Sequence, residues 1–464
     1  MVFSSILFIF QFLPCALILY YICPKKAKNF ALLILSLVFY SWGEMRFFPI
    51  MIATVTVNYL CALGIARYRD NLKKKRWCLI ASLVISLGFL LVFKYSNFFI
   101  ENINAVFCAT IPLLNLTLPL GISFYTFQTL SYTIDVYRGK VDAEKNYINV
   151  AAYVSLFPQL IAGPIVRYTD VQNEMRDRTI TFEQLESGME DFIIGLARKV
   201  LIANSVGALW AEVESIGFGT ISTGLAWVGI LAFSLQIYFD FSGYSQMAVG
   251  LGKMLGFNFP KNFDDPYTAR SVSDFWRRWH ITLGMWFREY VYFPLGGSRC
   301  SAWRNTLNLF IVWALTGFWH GASWNFVIWG LYFFALLVIE KSGFISVLNK
   351  HRIFSHFYMV FALLLGWTLF AITDFSMLFE YLSRMFVPTY FSANASTVGL
   401  EYYLRNYAVI LAVGVFFSTA LPTKLYAKFR KNTALRLVAL TLLFFLCIAY
   451  LVDSTYNPFL YFRF

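Results

Sequence analysis

The sequence predicts an all-helical integral membrane protein, and three observations carry that prediction. Hydrophobic residues make up 59% of the 464 positions and charged residues 14%, against about 45–50% and about 25% in soluble domains. Aromatic residues reach 20%, led by 50 Phe and 28 Tyr, more apolar surface than a water-soluble core can hide. The apolar residues also fall in long runs, several of which reach the roughly 20 residues that span a bilayer as a helix.

The first run begins at Val2, with no basic stretch before it and no A-x-A site after it, so it is expected to remain as a span and not to be removed as a signal. Lys25, Lys26 and Lys28 follow it. The excess of basic residues in cytoplasmic loops then places Met1 outside and Lys25 inside. Further stretches that could enter the bilayer cover residues 30–42, 47–66, 77–95, 112–134, 151–166, 221–241, 307–319, 324–339, 357–372, 407–421 and 437–452. Several are too short to cross alone. Such segments are tolerated only where protein or a water-filled cavity surrounds them, so a centre with a cavity is expected. Residues 67–76 and 424–436 form strongly basic loops and read as cytoplasmic, whereas Glu101, Asn102 and Asn104 have no basic neighbour and read as external. No repeat of 20–50 residues is visible, nor two halves of similar hydropathy.

The charge balance is +13, from 38 Lys and Arg against 25 Asp and Glu. Nucleic-acid binding would put these cations on one water-exposed face. Here they sit in short runs between apolar stretches, as membrane topology requires. The seven cysteines are scattered without a CxxC pair, which suggests neither a zinc site nor a disulfide framework. One stretch, 253–304, interleaves many charges with Tyr267, Phe275, Trp276, Trp279, Trp286 and Tyr290. It reads either as an amphipathic helix in the interface or as the wall of a site where basic side chains meet an anionic ligand.

Four histidines occur. His351 and His356 lie in a basic stretch read as a loop, five residues apart and so not on one helical face. His320 lies in Thr316-Gly317-Phe318-Trp319-His320-Gly321-Ala322, between two apolar stretches. An ionisable group at that depth is a functional candidate by default, and an imidazole can take a proton from a hydroxyl as its oxygen attacks an acyl carbon. Gly317, Gly321 and Ala322 either leave room for a substrate or let helices pack closely. His280, in Phe275-Trp276-Arg277-Arg278-Trp279-His280, reads by itself as an interfacial histidine. Asp240 ends an apolar run and could orient an imidazole or pair with a lysine. Nucleophile-elbow, dinucleotide, P-loop and HExxH patterns are absent or misspaced.

Taken together, Phe275-Trp276-Arg277-Arg278-Trp279-His280, Tyr292-Phe293-Pro294-Leu295-Gly296-Gly297 and Gly317-Phe318-Trp319-His320-Gly321 resemble the membrane-bound O-acyltransferase superfamily. The likeness is to its bacterial alginate O-acetyltransferase branch, whose relatives act on peptidoglycan and cellulose. Met1-Val2-Phe3-Ser4-Ser5, Gly121-Ile122-Ser123-Phe124-Tyr125-Thr126-Phe127-Gln128, Phe157-Pro158-Gln159-Leu160-Ile161-Ala162-Gly163-Pro164 and the closing Tyr461-Phe462-Arg463-Phe464 also match.

The resemblance implies a ring of tilted and re-entrant helices around a central tunnel, with about 10–12 spans. It implies one polytopic domain with a catalytic core at 112–340, followed by C-terminal spans at 341–464. His320 corresponds to the family's membrane histidine and is expected to act as general base, and His280 to its second polar position, orienting or polarising the acyl carbonyl. Asp240, Trp319 and Asn262 are supporting candidates. Arg277, Arg278, Arg288, Lys253 and Lys261 are the cations to set against the phosphates of acetyl-CoA or another thioester donor. No resident cofactor or metal is implied. The expected partners are membrane lipids, an esterase-like protein outside the cytoplasm and an exported polysaccharide, in the bacterial inner membrane. The alternatives are a D-alanyl transferase of the same superfamily and a lipid-linked sugar transporter using His320 and Asp240 as a proton relay.

Overall fold

The structure is a computed structural model and describes residues 1–161, 163–388, 399–453 and 460. Ala162, the Asn394-Ala395-Ser396 glycosylation-like pattern and Tyr461–Phe464 lie outside the described residues. Among the described residues the regular structure is helical, and eight helices are long and apolar enough to cross a membrane. Other apolar stretches form shorter helices, among them Phe8–Ile22, Lys28–Glu44 and Ile122–Arg138. The chain divides into two compact units, one of residues 1–192 with 245–261 and one of residues 193–244 with 262–464.

In the first unit the 36-residue helix Leu72–Phe107 runs about 54 Å at 1.5 Å per residue, well beyond the roughly 30 Å hydrocarbon layer. The stretch expected at 112–134 does not continue as one helix. Residues 109–119 have no regular structure, and a helix begins only at Ile122. Pro112 and Pro119 deny the segment two amide donors. Two asparagines of the long helix hold it instead. Asn97 exchanges hydrogen bonds with the backbone of Leu114 at 2.9 and 2.8 Å, and Asn104 with that of Ile111 at 2.8 and 2.9 Å. Likewise the expected stretch 151–166 breaks at Leu156 into Tyr147–Ser155 and the short turn Phe157–Leu160, which carries Pro158.

A buried amide joins three helices of this unit. Asn58 on Phe48–Arg67 donates to Ser86 Oγ at 2.8 Å and accepts from Ser82 at 2.6 Å and Thr133 at 3.0 Å. Apolar contacts alone discriminate poorly between helix faces in lipid, so such a polar hub fixes the register.

In the second unit Ala302–His320 and Trp324–Ile339 form a tight antiparallel pair. Gly317 and Gly330 make that possible. A Cβ on Gly317 would collide with the carbonyl of Phe326, and one on Gly330 with the carbonyl of Trp313. Gly321 is covered by the Phe326 ring. These glycines are therefore filled by helix packing and are not open to a substrate.

Candidate active site

The stretch 253–304 is not one interfacial helix. Its second half folds into Val272–Arg278 and Ile281–Phe287, separated by Trp279 and by His280 in a left-handed conformation with φ 45°. A non-glycine residue held there is under local strain of the kind found at functional sites. Asn262 sets the break. Its backbone carbonyl accepts from Ile281 N at 3.0 Å, and its side-chain Oδ1 accepts from Thr282 N at 3.3 Å and Thr282 Oγ1 at 2.9 Å. The same Oδ1 lies 3.1 Å from His280 Nδ1.

That geometry fixes the imidazole's proton. The backbone amide of Thr282 can only donate, so the atom facing Nδ1 is an acceptor and Nδ1 carries the hydrogen. Nε2 is left with its lone pair, buried and without a hydrogen-bond partner among the described residues. His280 is 2% exposed, and burial pushes its pKa down to about 3, so the ring is neutral. Thr282 was not singled out in the sequence, where a threonine in the first turn of a short helix has no distinguishing pattern.

His320 closes the Ala302–His320 helix and is 5% exposed. Its ring meets those of Trp319 and Trp329 at 5.0 Å and Phe370 at 5.4 Å, each near perpendicular. Trp319 also approaches His280 at 6.3 Å, so one indole touches both imidazoles. His280 and His320 line the same cavity of about 220 Å³, together with Trp276, Trp313, Thr316 and Arg288.

The remaining candidates divide. Asp240 pairs with Lys199 at 2.6 Å, both side chains buried, and its other oxygen accepts from Leu460 N at 2.9 Å. Lys253 and Lys261 belong to the first unit, where Lys253 is bound by Asp191 at 2.6 Å and by Ser187. Arg277 and Arg278 share Asp274, at 3.3 and 3.1 Å, and line a larger cavity of about 1050 Å³ with Arg270, Arg352 and His356. His356 stands on the helix Arg352–Ala371 and not in a loop, its Nδ1 3.2 Å from the Ala269 carbonyl. Arg270 and Arg352 escaped the sequence reading because they meet only through folding, 82 positions apart in the chain.

The seven-residue Val272–Arg278 helix has one face on each cavity. Asp274, Arg277 and Arg278 point to the larger, and Trp276 to the one that holds the histidines. Glu340 secures its start, accepting from Val272 N at 2.6 Å and from Ser273 N at 2.9 Å.

Two buried imidazoles on a small aromatic cavity, within a multi-pass chain, are suited to handling a reacting group away from bulk water. Residues 143–347 match the membrane-bound O-acyltransferase family. The chain is 36% identical to the "Probable alginate O-acetylase AlgI" of Azotobacter vinelandii over 100% of both chains. It is 41% identical to the Pseudomonas aeruginosa protein of that name, over 83% of this chain and 75% of the relative. It is 36% identical to the "Peptidoglycan O-acetyltransferase" of Helicobacter pylori, over 79% and 74%. The chain belongs to the membrane-bound O-acyltransferase family and is a multi-pass membrane acyltransferase.

Proposed function

We propose that the protein moves an acetyl group from a cytoplasmic thioester donor across the bacterial inner membrane, for O-acetylation of an exported or cell-wall polysaccharide. The observation that carries this reading is the pair of buried imidazoles, His280 and His320, on one cavity. The names of the relatives, an alginate O-acetylase and a peptidoglycan O-acetyltransferase, support a polysaccharide acceptor.

In this reading the acceptor hydroxyl belongs to the glycan or to an esterase-like partner outside the cytoplasm. His320 takes its proton as the oxygen attacks the thioester carbonyl. The new C–O bond forms, the C–S bond breaks, and the proton passes from His320 to the departing thiolate. His280 offers Nε2 as an acceptor and so orients the hydroxyl. A ring with its hydrogen on Nδ1 cannot polarise the carbonyl through Nε2, which revises the role implied by the family resemblance. The narrow aromatic cavity keeps out water that would hydrolyse the thioester. Arg277 and Arg278, with Arg270 and Arg352, face the phosphates of acetyl-CoA from the larger cavity, and Arg288 serves the acyl end. The N-terminus lies outside, as the basic loops direct.

The test is transfer of radiolabelled acetyl from acetyl-CoA in proteoliposomes supplied with glycan and partner. Label on a hydroxyl acceptor, reduced about 100-fold or more in His320→Gln with folding intact, supports the reading. Transfer from a D-alanyl carrier but not from acetyl-CoA replaces it with the D-alanyl alternative. Movement of a lipid-linked sugar without any acyl transfer replaces it with a transporter.

A further inference from the structure

The first unit holds a cavity of its own, about 1000 Å³, lined by residues from three segments, within 25–29, 142–149 and 175–178, and by Ala66. Its charge is one-sided. Lys25, Lys26, Lys28, Lys145, Arg176 and Arg178 line it against Asp142, Glu144 and Asp177. Glu144 is already engaged by Tyr168 and by the backbone of Asn146. Among the described residues, no carboxylate lies within ion-pair distance of Lys25, Lys26, Lys28 or Arg178.

Arg178 is the fixed point. Its Nε donates to Tyr20 Oη at 2.7 Å, and its Nη1 to Asn29 Oδ1 at 2.7 Å and to the Glu174 carbonyl at 2.9 Å. Those partners are themselves tied down. Tyr20 donates to the Leu255 carbonyl at 2.8 Å, and Asn29 to Asn149 and to the Met175 carbonyl at 2.8 Å. The guanidinium lies over the Phe257 ring at 4.6 Å. Every one of these contacts is to a neutral group, and among the described residues Nη2 is buried with no hydrogen-bond partner. Beside it, the ammonium of Lys28 sits 4.7 Å from the Tyr20 ring. Lys28 also opens the helix Lys28–Glu44, whose first turn carries no acidic residue, so the peptide dipole adds to the positive field.

A guanidinium fork with one edge anchored and the other unfilled, flanked by lysines, is complementary to phosphate oxygens. The lysines follow directly on the apolar helix Leu13–Ile22, at the point where a chain leaving the hydrocarbon layer meets lipid headgroups. We propose that this cavity binds a phosphate group, supplied by an anionic phospholipid headgroup or by a soluble phosphate ester. It has no part in the acyl-transfer chemistry proposed above.

Native mass spectrometry of the full-length protein from phosphatidylcholine nanodiscs, with and without phosphatidylglycerol, tests this. The comparison is wild type against Lys25→Gln/Lys26→Gln/Lys28→Gln, Arg178→Gln, and the equally neutralised Lys424→Gln/Lys428→Gln. Each cation near a phosphate is worth about fivefold in binding, so the triple lysine variant should retain phosphatidylglycerol on the order of a hundredfold less. The control variant should retain it as wild type does. The lysines are at the surface, so their substitution keeps the test valid if Arg178→Gln fails to fold. If wild type discriminates poorly between the two lipids but is thermally stabilised by inorganic phosphate, with the effect lost in the lysine variant, the source is a soluble phosphate. Equal retention by wild type and the lysine variant, with no response to phosphate in either, overturns the proposal.

Discussion

His280 is held by its neighbours in a conformation that its own side chain disfavours, at a cost on the order of 1–3 kcal/mol. Asn262 offsets that cost through three contacts and at the same time chooses the tautomer. Asn262→Leu should therefore lower kcat about tenfold or more while the protein remains folded, because it frees the ring to rotate and to exchange its hydrogen. Asn262→Asp keeps the acceptor but places a carboxylate beside Nδ1, which raises the imidazole pKa. The wild-type pH–rate profile should show no contribution from His280 between pH 5 and 8, whereas Asn262→Asp should gain an acid limb. A limb identical in the two proteins would show that Asn262 does not set the state of His280.

The same burial has a consequence for stability. The unfolded imidazole titrates near 6.5, whereas in the fold it is pushed down to about 3. Below pH 6.5 the unfolded chain therefore binds a proton that the native chain refuses. Stability from this residue is complete above pH 6.5 and falls toward pH 3, by up to about 1.4 kcal/mol per pH unit. Melting curves between pH 7 and pH 5 should show a steeper loss for wild type than for His280→Asn. Lys199 and Asp240 behave differently, since each is buried against the other. Lys199→Met should destabilise by about 3–5 kcal/mol in thermal unfolding by stranding the carboxylate, and Lys199→Met/Asp240→Leu by much less.

At the scale of helices, the contact of Gly317 with Gly330 positions His320. Gly317→Ala adds only a methyl group, yet it meets backbone at Phe326 and not a movable side chain. It should cost about 1–3 kcal/mol and depress acetyl transfer more than it depresses expression, because the shift is passed to a histidine three residues on. Most of the long helices were legible as apolar runs, and residues 324–339 and 357–372 lie close to the observed bounds. The runs missed one long helix, Phe182–Ile216, and could not disclose the interruptions. The break at His280 depends on Asn262, which reaches it from 18 positions away, and the start of Val272–Arg278 depends on Glu340, 68 positions away from Val272. Hydropathy has no signal for either. The two histidines were singled out residue by residue, through cost of burial and family likeness, but the cavity they share was not legible.

For the whole molecule, the expected orientation makes a prediction that needs no activity assay. Lys25–Lys28 and residues 67–76 inside place the end of Leu72–Phe107 outside, with the exposed Cys108 at its tip. A membrane-impermeant maleimide should label Cys108 in intact cells, and labelling only after lysis would reverse the assigned topology. Arg277 and Arg278 line one cavity and His280 and His320 another, with the seven-residue helix between them.

That thin partition makes the enzyme unusually sensitive to register. One inserted residue turns the following part of a helix by about 100°. An alanine inserted after Val272 would swing guanidinium groups toward the imidazoles and indoles toward the arginine side, with the composition of the chain otherwise unchanged. Length in this short segment thus decides which side chains face which cavity, as much as residue identity does.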